Sequence, residues 1–220
     1  MKAHSRELLR LAGGCGAVAF ALTLFVAWHG TPIPGDVGVI ERFQSWGALR
    51  RNEGWINPLG SIEWQTPIVL AALALAAFGH RAGIAGGTPT QRTEAIWLLL
   101  VASALRLLSG PLKEIARAER PRPDFGLHVL REFDGYGFPS GHVYSDVLVY
   151  GALAIVAPVL AGRLAGSAAR VVCLAVIVLA GPARMVVGAH WPSDVAGGYL
   201  FGIAAICLAV VASRRIAKGV

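Results

Sequence analysis

The sequence predicts an all-α protein, a polytopic membrane bundle of six transmembrane helices formed by a single domain over residues 1–220. Two observations lead to this prediction. Hydrophobic residues make up 55% of the chain and charged residues only 15%, against about 25% charged residues in a typical soluble domain. The charged residues also separate long apolar runs, as they do in proteins that cross a bilayer several times. A disordered chain, a collagen, a coiled coil and a disulfide scaffold are excluded.

Six apolar windows predict the spans. They cover residues 11–28, 64–79, 95–112, 147–162, 171–188 and 195–213. Each is expected to be helical, because backbone polar groups in lipid must be satisfied within the segment. Several windows fall short of the ~20 residues needed to cross the hydrocarbon, so their helices should extend into flanking polar residues. The first window is longer than the ~7–15 residues of a signal-peptide core, and we expect an uncleaved span.

Three smaller features complete the predicted architecture. The outer segment 31–63 contains Trp46 and Trp55 and is expected to include a short interfacial helix. The Gly/Pro-rich stretch 82–90 is expected to be a cytoplasmic loop. Gly198 and Gly202 form a small-xxx-small pair, which predicts close helix packing in the last span.

Basic residues in the loops predict which side of the membrane each connection occupies. The two tails and the second and fourth connections would be cytoplasmic by the positive-inside rule. The opposite face is also basic, with Arg42, Arg50, Arg51, Lys113, Arg117, Arg120, Arg122, Arg131 and Arg184. The orientation therefore requires that the cations from 113 to 131 serve chemistry. We expect a multi-pass protein of the inner (plasma) membrane whose site faces the periplasm or the extracellular side.

Three short motifs combine cations and histidines at the predicted helix ends. Counting spans places all three at the same membrane face, so they should converge at one interface. They read Lys113-x6-Arg120-Pro121, Pro139-Ser140-Gly141-His142 and Arg184-x5-His190-x3-Asp194.

All three motifs supply groups that bind anions. Lys113, Arg120 and Arg184 are cations, and arginine offers planar, bidentate donors suited to phosphate oxygens. Ser140 and Gly141 lie where a loop is expected to meet a helix N-terminus, at which a hydroxyl, backbone N–H groups and the helix dipole favour an anion.

The histidines suggest nucleophilic chemistry on that anion. His190 and Asp194 are four residues apart, so on a helix the carboxylate can fix the ring tautomer and leave the other nitrogen as a nucleophile. His142 is then available as a general acid. Arg106 and Asp146 could pair structurally or support the site, and we expect the structural pair.

These motifs resemble the signature of the type-2 phosphatidic acid phosphatase superfamily, K-x6-R-P, P-S-G-H and S-R-x5-H-x3-D. The likeness covers residues 113–194, and the six expected spans extend it over most of the chain. Ala183 stands where the family has a serine. Vanadium haloperoxidases and glucose-6-phosphatases share the signature, but the apolar spans argue against the former and the chain length against the latter.

The resemblance implies a metal-independent phosphatase without a cofactor that works through a phosphohistidine. His190 would be the nucleophile, Asp194 its orienting partner and His142 the acid that protonates the leaving group. The phosphoryl oxygens would be held by Lys113, Arg120, Ser140, Gly141 and Arg184.

The expected substrate is a lipid phosphate. Undecaprenyl diphosphate, which would be cleaved to the monophosphate, is the first candidate. Phosphatidylglycerophosphate and phosphatidic acid are alternatives, as is transfer of the phosphoryl group to another acceptor. A binding or transport protein for anionic lipids that performs no chemistry is the alternative from another class. The net charge of +7 does not indicate nucleic acid, because the charges form no continuous patch. The oligomeric state stays open.

Overall fold

The computed structural model describes residues 2–47, 57–81, 83, 85–130 and 133–219. Within them all long elements are α-helices and no strand occurs, so the all-α prediction is confirmed for this part of the chain. The helices are α1 (Lys2–His29), α2 (Asp36–Gln44), α3 (Ile62–Phe78), α4 (Pro89–Leu105), α5 (Ser109–Ala116), α6 (Gly141–Ala161), α7 (Arg163–Val186) and α8 (Pro192–Gly219), with short 3₁₀ turns at Asn57–Gly60, Arg106–Leu108 and Pro123–Phe125.

Among the described residues, five helical segments are long and apolar enough to cross a membrane. They are His4–His29, Pro89–Ala116 (α4 continued through α5), Gly141–Ala161, Arg163–Val186 and Pro192–Gly219. The remaining predicted span corresponds to α3, which is apolar but has 17 residues. At 1.5 Å per residue, α3 is only about 26 Å long, so a count of six spans stays a prediction.

Apolar side chains on the outer surface of the bundle indicate where lipid would lie. Val171, Val172 and Val178 of α7 are 62–67% exposed, and Phe20 of α1 is 60% exposed. Contiguous apolar exposure of this kind marks a surface that contacts a membrane or a partner. The exposed face of α7 therefore agrees with the expected contact with the bilayer.

The helix ends follow local sequence signals. Thr88 caps α4 by accepting from the backbone N–H of Gln91, whose side chain in turn accepts from the Thr88 N–H. Pro89 occupies the first turn of α4, where its missing N–H has no helical partner to lose. The α5 helix ends at Arg117, which adopts a left-handed conformation with a φ of 48°.

The core lies between α3, α4, α6 and α8, where Val69, Leu99, Leu148 and Ala209 pack in one buried cluster. Glycines of α8 permit a close approach to α6. A Cβ at Gly202 would lie 2.7 Å from the Cβ of Val147, which is closer than two carbons can pack. Gly198 is equally tight against α6. The close packing predicted from this glycine pair is confirmed.

The outer segment contains the expected short helix, which is α2. Ile40 of α2 is fully buried and packs in a cluster with Met185 and Trp191, at the end of the bundle that carries the third motif. Trp46 is 51% exposed just after the helix. The predictions that involve Arg50, Arg51, Trp55 and Arg131 lie outside the described residues.

The predicted convergence of the three motifs is confirmed, because the helix ends that carry them meet at one end of the bundle. The Thr31 hydroxyl, just after α1, donates to the carbonyl of Glu119 at 2.7 Å. The backbone N–H of Leu130 donates to the carbonyl of Val187 at 3.0 Å. At the other end of the bundle, the N–H of Gly86 donates to the carbonyl of Val159 at 3.0 Å.

Candidate active site

The second and third motifs are joined directly through the backbone. The N–H of Ser140, which precedes α6, donates to the carbonyl of Asp194 in the first turn of α8 at 2.9 Å. A Cβ at Gly198 would lie 2.8 Å from the Ser140 carbonyl oxygen. The small residue on α8 therefore brings the start of α6 against the third motif.

His190 is fixed by contacts to both of its ring nitrogens. Nδ1 lies 3.2 Å from Oδ2 of Asp194, and Nε2 lies 3.2 Å from a terminal nitrogen of Arg120. A guanidinium can only donate, so Nε2 must carry the lone pair and Nδ1 the hydrogen that Asp194 accepts. The ring is 2% exposed and the carboxylate is fully buried.

Asp194 is held in turn by the start of its own helix. Its Oδ2 also accepts from the N–H of Trp191 at 3.0 Å, which is a capping contact at the N-terminus of α8. A Cβ at Gly137 would lie 2.6 Å from this same oxygen. Only a glycine at position 137 therefore leaves space for the carboxylate where it meets His190.

Arg120 and Lys113 are anchored to backbone carbonyls around His190. Arg120 donates through Nε to Gly135 at 2.9 Å and through the same terminal nitrogen that faces His190 to Ala189 at 2.7 Å. Lys113 donates to the carbonyl of Tyr136 at 2.9 Å. These bonds fix the two side chains while leaving them further donors.

Arg184 shares an aromatic platform with Arg120. The guanidinium carbons of Arg184 and Arg120 lie 5.6 and 5.8 Å from the centre of the Phe133 ring, a cation–π distance for both. Arg184 is 6% exposed, at the end of α7. Phe133 therefore keeps two mutually repelling cations side by side, and no sequence signal indicated this function.

The surroundings of His190 keep its ring neutral. Burial, and then the positive charges of Arg120, Arg184, Lys113 and His142, hold the pKa of His190 well below its ordinary value of 6.5. Both causes act in the same direction, because each disfavours the imidazolium. The four side chains that the sequence placed around His190 are thus close enough to act on it.

His142 lies in the first turn of α6, on the side that faces the Asn57–Gly60 turn. A Cβ at Gly60 would lie 2.8 Å from Cδ2 of His142 and 3.0 Å from Oδ2 of Asp146. The other carboxylate oxygen of Asp146 accepts from Gln65 at 2.6 Å. His142 and Asp146 therefore lie together beside this turn.

Arg106 and Asp146 do not form the close structural pair that was expected. None of the ion pairs found in the described part of the chain joins these residues within 4 Å, although their charges attract one another. Asp146 instead binds Gln65, whose carbonyl oxygen accepts from Ser145 at 2.6 Å. The carboxylate is thus satisfied by an amide and not by the guanidinium.

Asp36 supports the site in a way that the sequence did not indicate. It accepts from the backbone N–H of Ser193 at 3.0 Å and from the Ser193 hydroxyl at 2.7 Å. The N–H of Ile33 completes the contacts at 3.1 Å. Burial raises the pKa of Asp36, and these three hydrogen bonds act against that increase. The α2 helix thereby fixes the N-terminus of α8 beside Asp194.

Two cavities adjoin the cluster. One of about 810 Å³ is lined by the loop that carries Arg120, Phe133 and Tyr136. The other, of about 470 Å³, is lined by Gly141 and His142. Ser140 Oγ is buried and has no hydrogen-bond partner among the residues described, so it can donate to an oxygen that enters the site.

Comparison with known protein families shows which family the chain belongs to. The family model of the PAP2 superfamily matches residues 94–217, which contain all three motifs. The chain belongs to the PAP2 superfamily. The match starts within α4 and continues almost to the end of α8.

Relatives of this PAP2 protein are named phosphatases. Phosphatidylglycerophosphatase B of Bacillus subtilis (strain 168) is 34% identical over 112 residues, which are 50% of this chain and 53% of the relative. The match thus spans about half the length of that protein. Lipid A 1-phosphatase of Rhizobium etli is 26% identical over 196 residues, or 84% of this chain and 76% of the relative.

A solved structure supports the fold of the PAP2 protein. The crystal structure of a transmembrane PAP2-type phosphatidylglycerolphosphate phosphatase from Bacillus subtilis superimposes with a TM-score of 0.69. The superposition covers 88% of this chain and 92% of the other, at 23% sequence identity. The helical membrane fold is therefore shared over nearly the whole length of both chains.

Proposed function

We propose that this PAP2 protein hydrolyses lipid phosphates, with His190 as the nucleophile. The observation that carries the proposal is the pair of contacts on the imidazole. Asp194 accepts at Nδ1, and Arg120 lies at Nε2. A neutral ring with its lone pair directed at a cationic site is the form that attacks phosphorus.

The first chemical step forms a phosphohistidine. A phosphate oxygen takes the place of Nε2 as the acceptor for Arg120, which frees the lone pair. Nε2 bonds to phosphorus, and the bond between phosphorus and the leaving oxygen breaks. His142 gives that oxygen a proton. Asp194 stabilises the positive charge that forms on the ring of His190.

The remaining groups bind the phosphoryl oxygens. Lys113, Arg120 and Arg184 supply positive charge, while Ser140 and the N–H of Gly141 supply donors at the start of α6. Phosphoryl transfer depends mainly on positioning and charge stabilisation, so this set requires no metal ion for its chemistry. Water then attacks the phosphorus and gives its proton to His142, while the bond between phosphorus and Nε2 breaks, so that phosphate leaves and neutral His190 is regenerated.

The site is proposed to open at the periplasmic or extracellular face of the inner membrane. Arg81, Arg92 and Arg163 border the helix ends opposite the site, together with the basic C-terminal tail. The positive-inside rule places that end in the cytoplasm. A site at the membrane surface lets the lipid tail stay in hydrocarbon while the phosphate reaches the cations.

Undecaprenyl diphosphate is the substrate that we favour, followed by phosphatidylglycerophosphate and phosphatidic acid. The names of the relatives add lipid A 1-phosphate to the candidates. The test is phosphate release by purified protein in detergent from a panel of these lipids, with a chelator present. Transfer of the phosphoryl group to an added acceptor lipid in place of water, without phosphate release, would instead identify a phosphotransferase.

His190→Ala should abolish release, while His128→Ala serves as the matched control. In the described part of the chain, the hydrogen bonds of His128 are made by its backbone with Gln44, so its variant should keep wild-type turnover. Brief incubation of the wild type with ³²P-labelled lipid should label the protein in an acid-labile, alkali-stable form. Full turnover by a folded His190→Ala variant would refute the assignment, and absence of release from every lipid would refute the proposed activity.

A further inference from the structure

The cavity of about 470 Å³ beside His142 contains a cation that the proposed reaction does not use. Arg106 lines this cavity together with Glu63, Ser109, Gly141 and His142. It lies in the 3₁₀ turn between α4 and α5, seven residues before Lys113.

The guanidinium of Arg106 forms neither an ion pair within 4 Å nor a side-chain hydrogen bond in the described part of the chain, although the charge of Asp146 attracts it. Asp146, the nearest charged candidate, is bound by Gln65. The acid in the cavity lining is Glu63, which is exposed at the start of α3. Arg106 is therefore a partly buried cation with donors available to a ligand.

The cavity adjoins the cations around His190. Gly141 belongs to its lining, and a Cβ on Gly141 would lie 3.7 Å from Cε of Lys113 and 3.8 Å from the Ser109 hydroxyl. Lys113 is also one of the charges that act on His190. One wall of the cavity is thus the edge of the proposed phosphate site.

The position of His142 indicates which part of the substrate would occupy this cavity. Under the proposed function, His142 protonates the leaving oxygen, so the leaving group lies on the His142 side of the transferred phosphoryl group. For a phosphomonoester the leaving group is a neutral alcohol once it is protonated. For a diphosphate it is a lipid monophosphate, which carries charge and needs a cation.

We infer that the cavity around Arg106 binds a second phosphate, carried by the leaving group of the substrate. This inference rests on the proposed function and narrows its substrate class to lipids with two phosphates. In a lipid diphosphate, Nε2 of His190 bonds to the terminal phosphorus while the bond from that phosphorus to the bridging oxygen breaks. The electron pair stays on the bridging oxygen, which takes a proton from His142, and Arg106 holds the departing monophosphate.

Two kinds of lipid offer this chemistry. In a polyprenyl diphosphate the second phosphate adjoins the scissile bond, and in phosphatidylglycerophosphate a glycerol separates the two phosphates. The experiment therefore compares farnesyl diphosphate, phosphatidylglycerophosphate and farnesyl monophosphate, the last having the tail of the first but one phosphate. The kcat/KM of each is measured by phosphate release for wild type, Arg106→Gln and Arg106→Lys.

Arg106→Gln should lower kcat/KM about tenfold or more on at least one two-phosphate lipid, because a hydrogen bond between charged groups is lost. Farnesyl monophosphate should change less than about threefold, and its turnover shows that the variant is folded. Arg106→Lys keeps the charge and should recover part of the loss. The matched control Arg42→Gln removes a charge from an exposed position on α2 and should change no substrate.

The pattern across substrates separates the outcomes. Selective loss on the diphosphate or on phosphatidylglycerophosphate supports the inference and identifies which lipid reaches Arg106. An equal loss on all three lipids, or no loss on any, overturns it. A wild type that cleaves farnesyl monophosphate but neither two-phosphate lipid also overturns it and leaves the proposed function intact. A wild type that releases phosphate from none of the lipids refutes the proposed function itself.

Discussion

Replacing Asp194 by asparagine tests how the nucleophile is prepared. The substitution keeps the size of the side chain and an oxygen that can accept from Nδ1 of His190 and the N–H of Trp191. It removes the negative charge beside the ring. The proposed mechanism predicts that the reaction requires the charge and not only the shape, because the imidazole would become positive as Nε2 bonds to phosphorus.

The magnitude follows from the distance between the two groups. Nδ1 and Oδ2 are 3.2 Å apart, and two unit charges at this separation attract by about 5 kcal/mol at an effective dielectric constant of about 20. If about half of the ring charge has formed in the transition state, the loss is about 2.6 kcal/mol. Since 1.36 kcal/mol corresponds to a factor of ten in rate, kcat should fall about 100-fold.

The assay is phosphate release from one lipid substrate at saturating concentration, with kcat compared between wild type, Asp194→Asn and Asp134→Asn. Asp134 is an exposed acid that acts on Arg120 from the same loop, so its variant matches the change in charge without touching His190. We expect it to stay within about threefold of wild type, as exposed charges interact weakly. A folded Asp194→Asn variant with wild-type kcat would refute the reasoning.

Three further outcomes follow from the geometry. The ring of His190 should stay neutral at pH 6.5 in a ¹⁵N NMR titration in detergent, because burial and nearby cations lower its pKa. The contribution of this neutral ring to the free energy of unfolding is complete above the pKa of the unfolded state and is lost as the pH falls towards the pKa of the folded state. An imidazolium at pH 6.5 would contradict the prediction. Gly137→Ala would place a Cβ 2.6 Å from the carboxylate that orients the ring and should lower kcat at least tenfold. In the control Gly110→Ala, the new Cβ would have no neighbour within 4 Å, and kcat should not fall. Equal rates for the two variants would refute the steric argument. Asp36→Ala leaves the N–H and hydroxyl of Ser193 without their acceptor and should lower the free energy of unfolding by about 1–3 kcal/mol. The loss is measured as a lower Tm in detergent. An unchanged Tm would show that the contact is dispensable.

The residues of the candidate site were predictable because their chemistry is local in sequence. The four-residue spacing was enough to predict the pairing of His190 with Asp194, and the structure confirms that contact at 3.2 Å, although His190 precedes α8 and does not lie on a helix as expected. Counting apolar windows was enough to place Lys113 and Arg184 at one membrane face. Neither step requires knowledge of how the helices cross.

The supporting contacts were not predictable, because they join residues far apart in the chain. Asp36 binds Ser193 across 157 positions, and Gln44 binds the carbonyl of Met185 across 141. Phe133 lies beneath two arginines only because the loop folds over the end of α7. The hydrogen bond from Gln65 of α3, which satisfies Asp146 in place of a close ion pair with Arg106, was not predictable for the same reason.

The sequence by itself determined the membrane character, the helical class and the face that carries the motifs, since each depends on hydropathy and on counting along one chain. Only the tertiary structure decided which nitrogen of His190 has the lone pair and which cation lines the cavity beside His142. Those facts depend on how side chains from different helices satisfy one another's hydrogen bonds. The hydrogen-bond partners of a buried polar group come from neighbouring helices and loops, so no single segment of the chain determines them.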